Sequence, residues 1–419
     1  MRRVIPSAPA VILSAATDRL SRSRALLAAL LAVASSAGAQ FRPQTPDAVR
    51  HYLELTRPLF SGQRAFDQVA FMDQYFRWPG NTGFNASVHR VEDILKAAGY
   101  VEESRARKGA VLTYRIEHRP IRQPGWDPVG ASVTIVGESS PVLQWSTNRN
   151  MLAIASFSTP DTGVVAQLID VGKGTAAEYD KASVAGKIVL SDGGIGRVFP
   201  EAVQKRGAVG ALSFNMPAYT QPDVHTHSIQ FGSIPYDSVK RSWGIPLSKD
   251  AVDRLRGALA KGPVTLRVKT ASKMFPSDEL TLVAEVHGSV APAERYVLSA
   301  HVQEPGANDN ASGVGDLSEM ARVLGLLVAN KSIRPKRTIT MLFGLEIAQT
   351  RNFLADDSVR TKNVLWGLSM DMTGEDTKKT GGTFLIEKMP DPSAVWTRGD
   401  DHHSEWGGRP ITKDRIVPS

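Results

Sequence analysis

The chain has no cysteine, so disulfides and thiol catalysis are excluded and any metal must be held by His, Asp or Glu. Long apolar runs are also missing, and the best stretch, 25–33, is too short to cross a bilayer. Charge of one sign is scarce as well. The formal net charge is +8, but Arg2, Arg3, Arg19, Arg22 and Arg24 against Asp18 put half of it at the very start. So mild a balance over the rest, without interleaved aromatics, does not form a nucleic-acid footprint. No Gly-x-Ser-x-Gly elbow, His-Glu-x-x-His pair or phosphate-binding glycine loop with lysine occurs. Serine hydrolases, thermolysin-like proteases and nucleotide hydrolases thereby lose their main support.

The arginine-rich start, the apolar run and the small residues Ala37-Gly38-Ala39 read as an export signal cleaved after Ala39, which implies a secreted or periplasmic protein with no membrane span once the signal is gone. The 419 residues exceed one ordinary core, so two domains or one domain with an insertion are expected. Apolar residues at three and four spacing, Val91, Ile94, Leu95 and Ala98, make 45–100 helical up to Gly99. From 151 to 271 short β-like runs alternate with Gly and Pro, as in Gly186-Lys187-Ile188-Val189-Leu190, and this stretch reads as an inserted domain. It separates an N-terminal part, 40–150, from a final part, 272–419. In that final part, strands at 281–286, 296–300, 338–343 and 364–370 alternate with a helix at 314–328. The fold class is therefore α/β, a mostly parallel or mixed sheet covered by helices, with a β-rich insertion.

Three of these strands run into metal-capable side chains: 296–300 into His301, 338–343 into Glu346, 364–370 into Asp371. In open α/β sheets ligands sit beyond the carboxyl ends of the strands, so these residues converge on one crevice. Asp309 joins them from the loop Gly306-Ala307-Asn308-Asp309-Asn310-Ala311-Ser312-Gly313, just ahead of the helix. One imidazole and three carboxylates suit one or two divalent ions, zinc foremost. Asp309 can bridge two ions, His301 and Asp371 bind one, and Glu346 is the candidate general base. The bland reading of each alone is a hydrogen-bonded histidine, a turn former or a helix cap; their joint placement on one edge argues for the site. A second grouping, Asp223, His225 and His227, falls in a loop of the insertion and reads as surface. Lys331, Arg334, Lys336 and Arg337 read as a solvated approach to a strand.

The run Tyr296-Val297-Leu298-Ser299-Ala300-His301, the Gly306 to Gly313 loop, the strand ending at Glu346 and Met370-Asp371-Met372-Thr373-Gly374 together resemble the core of the M28 zinc aminopeptidases. The insertion is similar to a protease-associated (PA) domain through the Gly186 run and Gly207-Ala208-Val209-Gly210-Ala211. The resemblance implies a zinc metallopeptidase acting near the amino end of a peptide substrate, with His301 and Asp371 on one zinc, Asp309 bridging and Glu346 as base. Three departures accompany it. The family's aspartate two residues after the histidine is here Gln303; its paired glutamates are reduced to Glu346; its last ligand, a downstream histidine, has only His402 and His403 as candidates. An interrupted reading frame is the expectation that follows. Two alternatives stay open: a binding relative without catalysis, and a single-zinc enzyme of the glutaminyl-cyclase branch.

Overall fold

The computed structural model describes residues 46–380. The export segment and His402 and His403 lie outside the described residues. The described residues up to Phe60 form a unit by themselves, represented by helix α1, Asp47–Thr56. The rest of the description concerns the unit that starts at Ser61.

That unit opens with helices α2, Gly62–Met72, and α3, Thr82–Ala97. Asn81 caps α3 by accepting from the Phe84 N–H, Phe84, Val88, Val91 and Leu95 form its buried face, and Gly99, at φ +91°, ends it. Strands β1, Val101–Glu102, β2, Leu112–Pro120, β3, Gly125–Ile135, and β4, Leu143–Gln144, follow. Next come β5, Val164–Asp170, the short α4, Ala176–Asp180, β6, Ile188–Ser191, α5, Ile195–Phe199, β7, Gly210–Ser213, and β8, Gly244–Pro246. Helix α6, Lys249–Leu259, leads to β9, Thr265–Phe275, β10, Asp278–Val286, and β11, Ala291–His301. Helix α7, Ala311–Ala329, β12, Arg337–Gly344, α8, Ala348–Ala355, α9, Ser358–Lys362, and β13, Val364–Ser369, complete the site half.

Two sheets result. One has the order β1-β2-β10-β12-β11-β13 and the other β4-β3-β9-β5-β6-β7-β8. In the first, β12, β11 and β13 run parallel, so their carboxyl ends share an edge. Strand β10 makes the sheet mixed, pairing antiparallel with both β2 and β12. The reason is local: only His287 to Val290 separate β10 from β11, too short for a crossover, so β10 turns back while β12 takes the place beside β11. Helix α7 covers this sheet and is apolar on most sides, because it lies between the sheet strands and α2. The second sheet spans 125–275 and has its own core, built on Val133, Ile188, Leu212, Trp243, Leu255 and Leu266. Among the described residues no helix is long and apolar enough to cross a membrane.

Candidate metal centre

The site assembles where three chain segments leave the parallel strands. His301 is the last residue of β11, Glu346 lies two residues beyond β12, and Asp371 two beyond β13. Asp309 precedes Asn310, the N-cap of α7, whose side chain accepts from the Gly313 N–H at 3.0 Å. All four residues expected from the sequence thus meet at one edge.

His301 is 3% exposed, and its Nε2 stands 3.0 Å from Asp309 Oδ1 while Nδ1 stands 3.9 Å from Asp371 Oδ2. One ligand atom from each of these three residues lies within 4.8 Å of the others. Burial pulls the imidazole pKa down, but the Asp309 hydrogen bond and the charges of Asp371, Asp309 and Glu346 outweigh it and raise the net value. Asp371 is raised as well, by burial first and then by Asp309 and Glu346, with His301 opposing. The edge therefore carries more negative charge than its protein neighbours neutralise.

Glu304 is the residue the sequence reading missed. It joins His301 and Glu346 in a second group with ligand atoms within 4.8 Å. Burial and the charges of Asp309 and Glu346 push its carboxyl up to about 7 against the pull of His301. The only sequence signal was an acidic residue three positions after the strand-end histidine.

Gln303 does not orient the imidazole. Its Oε1 accepts from the Glu346 N–H at 2.6 Å, and its Nε2 donates to Glu346 Oε2 and Glu304 Oε1, both at 3.3 Å. The buried Asn310 takes the place beside the ring instead, with Nδ2 3.4 Å from Nδ1. Asn310 also donates to the Met370 carbonyl at 2.9 Å and accepts from the Met372 N–H at 3.2 Å, so it ties α7 to the segment carrying Asp371.

Behind this edge lies Arg77, fully buried and, among the described residues, without a carboxylate in contact. Its guanidinium donates to the carbonyls of Val302 at 3.0 Å, Met72 at 2.7 Å and Gly306 at 2.6 Å. The Glu304 N–H in turn donates to the Arg77 carbonyl at 2.8 Å. Burial lowers the guanidinium to about 10. Each strand-end segment also carries one non-glycine residue in the left-handed region: Glu304 at φ +87°, Ile347 at +57° and Met372 at +48°. Such conformations persist where surroundings over-determine them, commonly at functional sites.

A cleft of about 430 Å³ opens against Pro305, Gly306 and Ala307, with Asp73, Asn148, Arg149 and His227 on its walls. His227 is held through Nδ1 by Asp250 Oδ2 at 2.7 Å. Among the described residues His225, His227 and Asp223 belong to no group of metal-capable side chains.

The fold is mixed α/β, with sheets flanked by helices, and matches that of solved aminopeptidases. The Aneurinibacillus sp. strain AM-1 aminopeptidase superposes with a TM-score of 0.50 and 19% identity over 77% of this chain and 73% of its own. A zinc aminopeptidase from Bacillus subtilis gives 0.51 and 17% over 76% and 71%. A peptidase M28 precursor from Shewanella amazonensis gives 0.52 and 16% over 77% and 74%. At such identities the likeness is one of fold. Residues 281–382, the stretch that carries His301, Asp309, Glu346 and Asp371, match the model of peptidase family M28. Mouse (Mus musculus) carboxypeptidase Q is 23% identical over 239 residues, 53% of this chain, and the match spans about half, 48%, of that protein.

Proposed function

We propose that this chain is an exported zinc metallopeptidase that hydrolyses peptide bonds near the amino end of its substrates. The observation that carries the reading is the meeting of His301, Asp309 and Asp371, one ligand atom each within 4.8 Å, at adjoining strand ends. The donor set fits a divalent cation: a buried imidazole with carboxylates and no sulfur, where burial first and the neighbouring Asp309 and Glu346 after it raise the carboxyl pKa values of Glu304 and Asp371. His301 and Asp371 would hold one ion, and Asp309 would reach a second where two are bound. Zinc in such a site supplies Lewis acidity toward a carbonyl oxygen and makes a bound water acidic near neutral pH.

Glu346 then serves as the proton carrier. It takes a proton from the attacking water and returns it to the departing amine nitrogen as the C–N bond breaks. Gln303 keeps its carboxylate and its backbone N–H in place for this. The cleft beside Gly306 admits the peptide, and its volume is within the range of small-ligand sites. The stretch 151–271, within the span of the second sheet, is read as the protease-associated-like insertion, the 1–39 segment as the export signal, and the final part from 272 as the metal-binding part.

The test compares the unaltered protein with His301→Ala, Asp309→Ala and Glu346→Gln, measuring zinc per chain by elemental analysis and hydrolysis of short peptides. His301→Ala and Asp309→Ala are expected to lose metal and activity together. Glu346→Gln is expected to keep its zinc while the rate falls by about 10²- to 10⁴-fold. Absence of bound metal from the unaltered protein would overturn the reading in favour of a binding-only relative.

A further inference from the structure

We infer that Glu304 is a metal ligand of this chain, an oxygen donor beside His301 that adds to Asp309 and Asp371 and leaves Glu346, its neighbour, as the proton carrier. The inference rests on the metallopeptidase reading and adds a donor to it.

Three observations converge on Glu304. The first is position, since its carboxylate reaches within 4.8 Å of ligand atoms of both His301 and Glu346. The second is fixation. Its N–H is held by the Arg77 carbonyl at 2.8 Å, and the same arginine grips the carbonyls of Val302 and Gly306 on either side. A loop pinned at both flanks presents this side chain in one direction, although φ of +87° is a backbone conformation glutamate adopts only under constraint.

The third is the character of the neighbours. Gln303 Nε2 at 3.3 Å is a neutral donor, and Asp309 and Glu346 add negative charge. Among the described residues no lysine or arginine pairs with the Glu304 carboxylate. Among the described residues it closes no ion pair, and its side-chain hydrogen bonds run to Gln303 and to the neighbouring acid Asp309, neither of which brings a positive charge. A divalent cation supplies the charge this arrangement lacks, and oxygen donors beside one imidazole are a coordination set that zinc accepts.

The deciding experiment is zinc titration of the full chain against a chromophoric chelator, with elemental analysis of the dialysed protein. It uses the unaltered sequence, His301→Ala, Glu304→Gln and Glu304→Gly. Glycine suits φ of +87°, so Glu304→Gly is expected to unfold at the same temperature as the unaltered metal-free protein or a higher one, while its zinc affinity falls. Both Glu304 variants are expected to lose an equivalent of zinc or to bind it at least about tenfold more weakly. A merely structural glutamate would move stability and metal affinity together. If both Glu304 variants bind zinc like the unaltered protein while His301→Ala does not, Glu304 is no ligand and the metallopeptidase reading stands. If the unaltered protein takes up no more zinc than His301→Ala, that reading falls and this inference with it.

Discussion

Gln303 shows how one side chain can change its task without leaving its place. In the family resemblance this position orients the histidine; in this chain its amide bridges two strand-end segments, and both contacts to Glu346 come from one group. Removing it in Gln303→Ala frees Glu346 without touching His301, Asp309 or Asp371. The expected result is a fall in kcat of about 10- to 100-fold at unchanged zinc content, because a misplaced proton carrier is worth that much. Steady-state kinetics on metal-saturated protein checks it, and an unaltered kcat would separate Gln303 from the chemistry. The bridge was invisible in the sequence: Gln303 and Glu346 are 43 positions apart, and nothing in either segment says which amide will meet which carboxylate.

Among the elements, α7 is the one the site depends on most, since Asn310 begins it and Asp309 stands just before it. Its contact with α2 is close at Gly315, where an added Cβ would stand 2.6 Å from the Ala65 carbonyl oxygen. Gly315→Ala is therefore expected to destabilise the fold by about 1–3 kcal/mol despite alanine's better helix propensity. Urea unfolding would show it as a lower midpoint, and a higher midpoint would mean the two helices can part freely. At this scale much was legible beforehand. The apolar runs 296–300 and 338–343 lie within β11 and β12, and the helix expected at 314–328 lies within α7. Their parallel pairing brings His301, Glu346 and Asp371 to one edge as periodicity and strand order had suggested. The direction of β10 within the mixed sheet was not legible, because a run of apolar residues reads the same either way. Arg77 was also beyond reach, meeting the Val302 carbonyl across 225 positions of chain.

The whole molecule feels the site through its charge. Glu304 is pushed up to about 7, and Asp371 and His301 are raised too. A group whose pKa is higher in the folded than in the unfolded chain binds its proton more tightly when folded, so its stabilising effect is lost as pH rises through the folded value. Metal-stripped protein is accordingly expected to lose stability between about pH 5 and pH 8. Carboxylates lowered by ion pairs, such as Asp356 beside Arg119, act below that window. Chemical denaturation after chelation at the two pH values measures the difference. Added zinc should erase it and raise stability by about 2.7 kcal/mol at a hundredfold excess over its dissociation constant. Equal midpoints at both pH values would mean that the carboxyl groups are neither desolvated nor crowded as described.

The paired strands β2 and β10 leave the first sheet, at Pro120 opposite Asp278, and re-form at once as β3 and β9 in the second, at Gly125 opposite Phe275. Four residues link one crossing and two the other, and Gly80 and Gly125 are packed so closely there that a Cβ on Gly125 would stand 2.6 Å from the Gly80 carbonyl oxygen. A double strap of this kind resists sliding and stretching but can bend. The cleft has Asn148, Arg149 and His227 on the side of the second sheet and Gly306 on the side of the first. Its two walls are joined a second time inside the cleft, where Arg149 donates to the Asp73 carboxylate at 3.2 Å, so the mouth is braced by an ion pair as well as by the ribbon.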